Sequence, residues 1–160
     1  MTTSTLSAHA PVATTGRLPL GYLLVVDEEP LVRSSLRRVL GGQHAVTCSK
    51  TFAEALALVV GGMRFDLILC NLVAPGRAGK ALYDELLRQE PEQARRVVFL
   101  TGGAFPPRMV EFLASVPNRR IGQPSDVHEL RGLVNELLTD LGPIAGETGA
   151  DGAPKSAVGR

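Results

Sequence analysis

The chain has 160 residues with 17 Lys and Arg against 16 Asp and Glu, a formal net charge of +1. That balance gives no global attraction to DNA, RNA or an anionic membrane. The length suits one domain able to bury a core without disulfides. No apolar run approaches membrane-spanning length, and the N-terminus lacks a basic start followed by an apolar core, so neither an anchor nor an export signal is expected.

Two cysteines, Cys48 and Cys70, end apolar runs and have no Cys or His partner at zinc-ligand spacing. They read as buried free thiols in a reducing, cytoplasmic compartment. His9, His44 and His128 are scattered and read as surface or packing residues.

Residues 1–19 are rich in Thr, Ser, Ala and Pro and read as a flexible arm or linker. Residues 21–26, GYLLVV, form the first predicted strand, and the acidic trio Asp27-Glu28-Glu29 follows it. Pro30 suits a first helical turn, Leu31, Val32, Leu36, Val39 and Leu40 recur at helical spacing, and Gly41-Gly42 ends the helix. Residues 45–48 predict a short strand. Thr51 caps the next helix, which carries Ala55, Leu56, Leu58, Val59 and Val60 up to Gly61-Gly62.

Residues 66–70, DLILC, have the length and apolarity of a strand buried on both faces, as in the middle of a parallel sheet. Asn71 then stands at its carboxyl end, the edge where ligands and chemistry collect in open α/β sheets. A Pro75-Gly76 turn leads to a helix over about 79–89 with Leu82, Leu86 and Leu87 inward, ended by Pro91.

Residues 96–100 predict a fourth strand that delivers Thr101 to the same edge. Pro106-Pro107 start a helix with Met109, Val110, Phe112 and Leu113, broken by Pro117. Residues 119–121 form a last short strand, and Ser125 caps a final helix with Val127, Leu130, Leu133, Val134, Leu137 and Leu138. Residues 142–160 return to Gly, Ala and Pro and are expected to be a disordered tail. Five strands alternating with five helices predict a doubly wound α/β domain over 20–141. The arginines at 33 and 37, 95 and 96, and 119 and 120 read as solvated caps and rims.

The stretch FDLILCNLVAPGRAG, residues 65–79, resembles the phosphoacceptor segment of response-regulator receiver domains: an apolar strand, an aspartate, two residues, Met-Pro-Gly and a further Gly. Leu72, Pro75, Gly76 and Gly79 keep the pattern, while Asn71 replaces the aspartate and Ala74 the methionine. The resemblance covers roughly residues 22–141 and implies a flavodoxin-like (βα)5 fold with strand order 2-1-3-4-5.

Beside Asn71, it implies roles for four further positions. Asp27 and Glu28 match the acidic pair that helps hold a divalent ion, Thr101 matches the switch hydroxyl, and Gln123 stands at the lysine position before Pro124. Arg120 takes the place of the usual switch aromatic. A neutral amide at 71 cannot attack phosphorus as a carboxylate does. The paired loss of an acid and a base leaves the same two negative charges as a standard site, with Asn71 and Gln123 free to bond each other or Thr101.

Weak magnesium binding through Asp27 and Glu28 is the most this set is expected to support, and a strand-end acidic patch stabilised by helix dipoles is the other reading. Gln123-Pro124 is a candidate cis bond. The implied function is a non-enzymatic pseudo-receiver, a stand-alone adaptor or a receiver cut from a larger sensor kinase. Its expected partner is a sensor kinase, another signalling protein or a second copy. The contact face would be the last two helices and the strand between them, residues 107–141, with Arg108, Phe112, Arg119 and Arg120 as candidate contacts.

Two alternatives stand beside it. An active phosphoacceptor receiver in two-component phosphorelay signalling would need phosphorylation elsewhere or a chemical change such as deamidation of Asn71, which bulky Leu72 hinders. A small-molecule or nucleotide-binding flavodoxin-like domain would require a phosphate cradle, and no GxGxxG or Walker pattern follows a strand.

Overall fold

Runs dominated by Leu, Ile and Val leave little polar surface on either side and lie in the interior of a sheet covered on both faces, with two more polar strands at its edges. In the computed structural model, which describes residues 21–72, 78–102, 106–122 and 126–144, they form β1 (Tyr22–Val26), β2 (Ala45–Ser49), β3 (Leu67–Asn71), β4 (Val97–Thr101) and the shorter β5 (Arg120–Gly122). The sheet is wholly parallel, in the order β2-β1-β3-β4-β5. The predicted fold class is therefore the observed one.

The helices are α1 (Pro30–Leu40), α2 (Phe52–Val60), α3 (Ala78–Gln89), α4 (Pro91–Ala94), α5 (Pro107–Ser115) and α6 (Val127–Leu141). Alternation along the strands splits the core in two. Leu24, Val26, Ile68, Cys70, Val97 and Phe99 share one cluster with residues of α2, α3 and α5, including Val59, Leu86 and Phe112. Leu23, Val25, Leu67, Leu69, Val98 and Ile121 share the other with Leu40 of α1 and Leu130, Val134 and Leu137 of α6.

Several local expectations are corrected. Pro91 does not merely end α3 but opens the four-residue α4, so the described residues hold six helices rather than five. In α4, Gln93 is only 1% exposed because its amide serves both main-chain groups of Phe65: Phe65 N–H donates to Oε1 (2.9 Å) and Nε2 donates to the Phe65 carbonyl (3.1 Å). Arg96 is buried rather than solvated, its guanidinium donating to the carbonyls of Asp66 (3.3 Å) and Gly142 (2.7 Å).

On α3 the buried stripe is Leu82, Tyr83 and Leu86, and Leu87, one residue further round, is exposed. Val60 is likewise turned out beside buried Val59, and Leu31, Val110 and Val127 are also exposed. Thr51 caps α2 as expected, its hydroxyl accepting from Glu54 N–H at 3.1 Å. The cap of α6 is Asp126 rather than Ser125: its carboxylate accepts from Glu129 N–H at 2.8 Å. Ser125 itself lies outside the described residues, as do the Gln123-Pro124 bond, the arm at 1–19 and all but 142–144 of the expected tail.

One close approach fixes the site frame. A Cβ on Gly79 would lie 2.9 Å from the Asn71 carbonyl oxygen, 3.2 Å from Leu72 Cα and 3.3 Å from Cys70 Sγ. Gly79→Ala is therefore expected to destabilise the fold by about 1–3 kcal/mol. Urea unfolding of the variant beside the wild type checks this, and an unchanged midpoint would show that the helix retreats at no cost.

His44 is 3% exposed, and neither ring nitrogen has a hydrogen-bond partner among the described residues. Burial holds its pKa below the ordinary 6.5, outweighing the opposing effects of the neighbouring Asn135 side chain and the Asp66 carboxylate. The unfolded chain therefore takes up this proton more readily than the folded one. The contribution is intact above pH 6.5 and falls as the pH drops from there toward the folded-state value. Urea midpoints followed from pH 7.5 to 5.5 should decline in the wild type and decline less in His44→Leu.

Candidate functional site

Strands β1, β3 and β4 lie side by side, so their carboxyl ends place Asp27, Asn71 and Thr101 along one edge of the sheet. Asp27 directly follows β1 and continues its ladder, its N–H donating to the Ser49 carbonyl at 3.2 Å. It is only 3% exposed, a burial that a carboxylate tolerates only when its oxygens are hydrogen-bonded. Both are. Oδ1 accepts from Glu29 N–H at 2.8 Å, shaping the entry to α1, and Oδ2 accepts from Asn71 Nδ2 at 2.8 Å.

The Asn71 amide therefore pairs with Asp27, a partner that sequence reasoning did not name. Its orientation follows from its neighbour, since the amide oxygen turned the same way would face a carboxylate oxygen. Beneath it, Cys70 is buried with its thiol pushed up to about 12, first by burial and then by the negative charge of Asp27. The thiol therefore stays protonated and unreactive at neutral pH.

Arg33, on the second turn of α1, was read from sequence as a solvated arginine. Half-buried, it curls back over the end of β1, and its Nη1 donates to the carbonyls of Asp27 (2.6 Å) and Glu28 (2.9 Å). The usable signal was the offset of five and six residues, which places a long side chain on the following helix above the strand end. Glu28 is exposed.

Thr101 stands at the end of β4, and its hydroxyl donates across the sheet to the Ile121 carbonyl at 3.3 Å. Gln123 lies outside the described residues. The structure thus brings Asp27 and Asn71 into contact and gives Thr101 a partner on β5.

The remaining candidates lie on α5, β5 and the turn before it. Arg108 and Arg120 are exposed, and Arg119 Nη2 sits 3.2 Å from Asp140 Oδ2 of α6. Phe112, expected to be a surface contact, is instead a core residue at 9% exposure. Its ring packs edge-on against Tyr83 (centroids 5.7 Å apart) and Phe99 (5.5 Å), because its position on α5 faces the sheet beside Leu113. A groove of about 750 Å³ runs between α3 and α5, with Leu87, Arg95, Arg108 and Glu111 among its lining residues. No helix among the described residues is long and apolar enough to cross a membrane.

Solved structures share this architecture. A response regulator receiver domain protein (CheY-like) from Methanospirillum hungatei superposes with a TM-score of 0.64 at 22% identity, over 78% of this chain and 97% of that one. The signal receiver domain of a signal transduction histidine kinase from Syntrophus aciditrophicus gives 0.66 at 25% identity, over 81% and 98%. A structure of adenylate cyclase from Rhodopirellula baltica gives 0.65 at 21%, over 75% and 88%. No curated protein matches the chain. The family model described as the response regulator receiver domain matches residues 23–135, most of the chain. On that match, and on a 2-1-3-4-5 parallel sheet carrying an acidic carboxyl edge, the chain belongs to the response regulator receiver domain family.

Proposed function

We propose that this receiver domain works without accepting a phosphoryl group and signals by protein–protein contact. The observation that carries the reading is Asn71 at the end of β3, with its amide donating to Asp27. Phosphoryl acceptance needs an anionic oxygen aimed at the incoming phosphorus, and a carboxamide offers a neutral oxygen and an N–H donor.

The other groups at this edge do not replace it. The Cys70 thiol is buried and protonated, and the Thr101 hydroxyl is engaged with Ile121. The domain is accordingly read as non-enzymatic. Free Cys48 and Cys70 suit a reducing compartment such as the cytoplasm.

The face proposed for a sensor kinase, another signalling protein or a second copy is α5, β5 and α6. Arg108 and Arg120 are exposed on these elements, as are the apolar Val110 and Val127. Phe112 supports this face from within rather than forming part of it. The Arg119–Asp140 pair is solvated and contributes little to stability, so either residue can turn to a partner at small cost.

Incubation with acetyl phosphate and magnesium, followed by intact-mass measurement, should give no phosphoryl adduct on the wild-type chain. A stable adduct that disappears in Asn71→Ala would overturn the reading. Arg108→Ala combined with Arg120→Ala should leave stability within about 0.5 kcal/mol, as for exposed residues in general, while removing the specific partner recovered with wild type. Retention of that partner would move the contact face elsewhere.

A further inference from the structure

We propose that the acidic edge is closed by the chain's own groups, the Asn71 amide and the Arg33 guanidinium, so that Asp27 and Glu28 do not hold a divalent cation. A magnesium ion takes oxygen ligands in near-octahedral array and favours charged ones. The described residues at this edge do not meet that demand.

Asp27, the buried carboxylate, has one oxygen bonded to Glu29 N–H and the other to Asn71 Nδ2, each at 2.8 Å. A cation on the first oxygen would share it with the bond that starts α1 and draw charge away from that bond. A cation on the second would displace the amide, and the amide turns its hydrogens, the wrong polarity for a cation, toward the carboxylate. Rotating it to offer oxygen would set that oxygen against Asp27 Oδ2.

The main-chain carbonyls of Asp27 and Glu28 are engaged in turn by Arg33, at 2.6 and 2.9 Å. A positive charge thus lies against the main chain at Asp27 and Glu28, where it repels a dication as it satisfies the carbonyls. The Glu28 side chain, exposed to water, is the remaining carboxylate of the pair. One solvated carboxylate does not extract magnesium from its hydration shell.

This inference does not depend on the reading of phosphorylation, which rests on the chemistry of an amide. Ion binding by the wild type would defeat the one and leave the other standing.

The experiment uses the full chain. Amide resonances are followed while magnesium is added to millimolar concentration, with manganese-induced broadening as a second probe, and thermal unfolding is recorded in chelator and in magnesium. Wild type is expected to show no saturable shift or selective broadening at Asp27, Glu28 or Asn71, and a Tm indifferent to the ion.

Asn71→Asp sets two carboxylates against each other. It should lower the Tm in chelator and regain it with magnesium, because an ion that binds only the folded state stabilises it. Adding Arg33→Ala should tighten apparent magnesium affinity by about tenfold or more, since a neighbouring positive charge is removed. Saturable shifts at the acidic edge of wild type would overturn the proposal. An Asn71→Asp chain as stable in chelator as wild type would show that the amide closes nothing, and an unchanged affinity after Arg33→Ala would remove Arg33 from the closure. Should Asn71→Asp fail to fold, manganese broadening on the wild type decides the question.

Discussion

The 2.8 Å hydrogen bond from the Asn71 amide to the Asp27 carboxylate joins the ends of two central strands at the point where the sheet gives out. Parallel pairing of β1 with β3 brings these residues to a common edge. The apolar cores on both faces then leave Asp27 almost without water, at 3% exposure. A carboxylate so placed needs donors, and a hydrogen bond to a charged group contributes about 1.5–3 kcal/mol. Asn71 is held in turn from the far side, where the Cβ-less Gly79 lets α3 press against its carbonyl. The site geometry is therefore set by packing of the strand ends before any ligand is considered.

The same dryness explains why the departures from the receiver pattern are tolerated. An isolated charge near this edge would be costly, as the Cys70 thiol pushed up to about 12 illustrates from beneath. Replacing a carboxylate by an amide at position 71 removes one negative charge and supplies the donor that Asp27 requires. Arg33 then gives the strand-end carbonyls a cationic partner from within the chain. An edge that elsewhere in the family would balance its charges with a bound ion and a lysine is, on the proposed reading, balanced internally.

The central strands were legible as short apolar runs closed by a turn or a polar residue, the double winding followed from their alternation with helices, and the strand order came from the resemblance to receiver domains. Asn71 at a strand end was equally legible, since only the length of one run was needed to place it. The pairings that define the site were not. Asn71 and Asp27 are 44 residues apart, and Gln93 and Phe65 are 28 apart. Hydropathy carries no record of which buried polar group will meet which. Arg33 and Arg96 were misjudged for a related reason: a long cationic side chain looks solvated by composition, yet both reach main-chain carbonyls at the ends of elements. Phe112 shows the complementary limit, because an aromatic on an amphipathic helix is assigned to core or surface by a rotation of one residue that composition does not fix.

These contacts bear on how a receiver could signal once its acceptor is gone. In the resemblance that the sequence suggested, the switch runs from a threonine hydroxyl to an aromatic that moves inward. Here the Thr101 hydroxyl is bonded to the Ile121 carbonyl and so ties β4 to β5, and Arg120, the residue that the resemblance aligns with the aromatic, is exposed. Moving Thr101 toward the edge would break that bond, and burying Arg120 would strand a guanidinium in an apolar slot. Neither change has a compensating gain unless new charge arrives at Asn71. On the proposed reading, the edge and the α5–β5–α6 face are therefore uncoupled, and partner binding is governed by the concentration and complementarity of the partner rather than by modification of the domain.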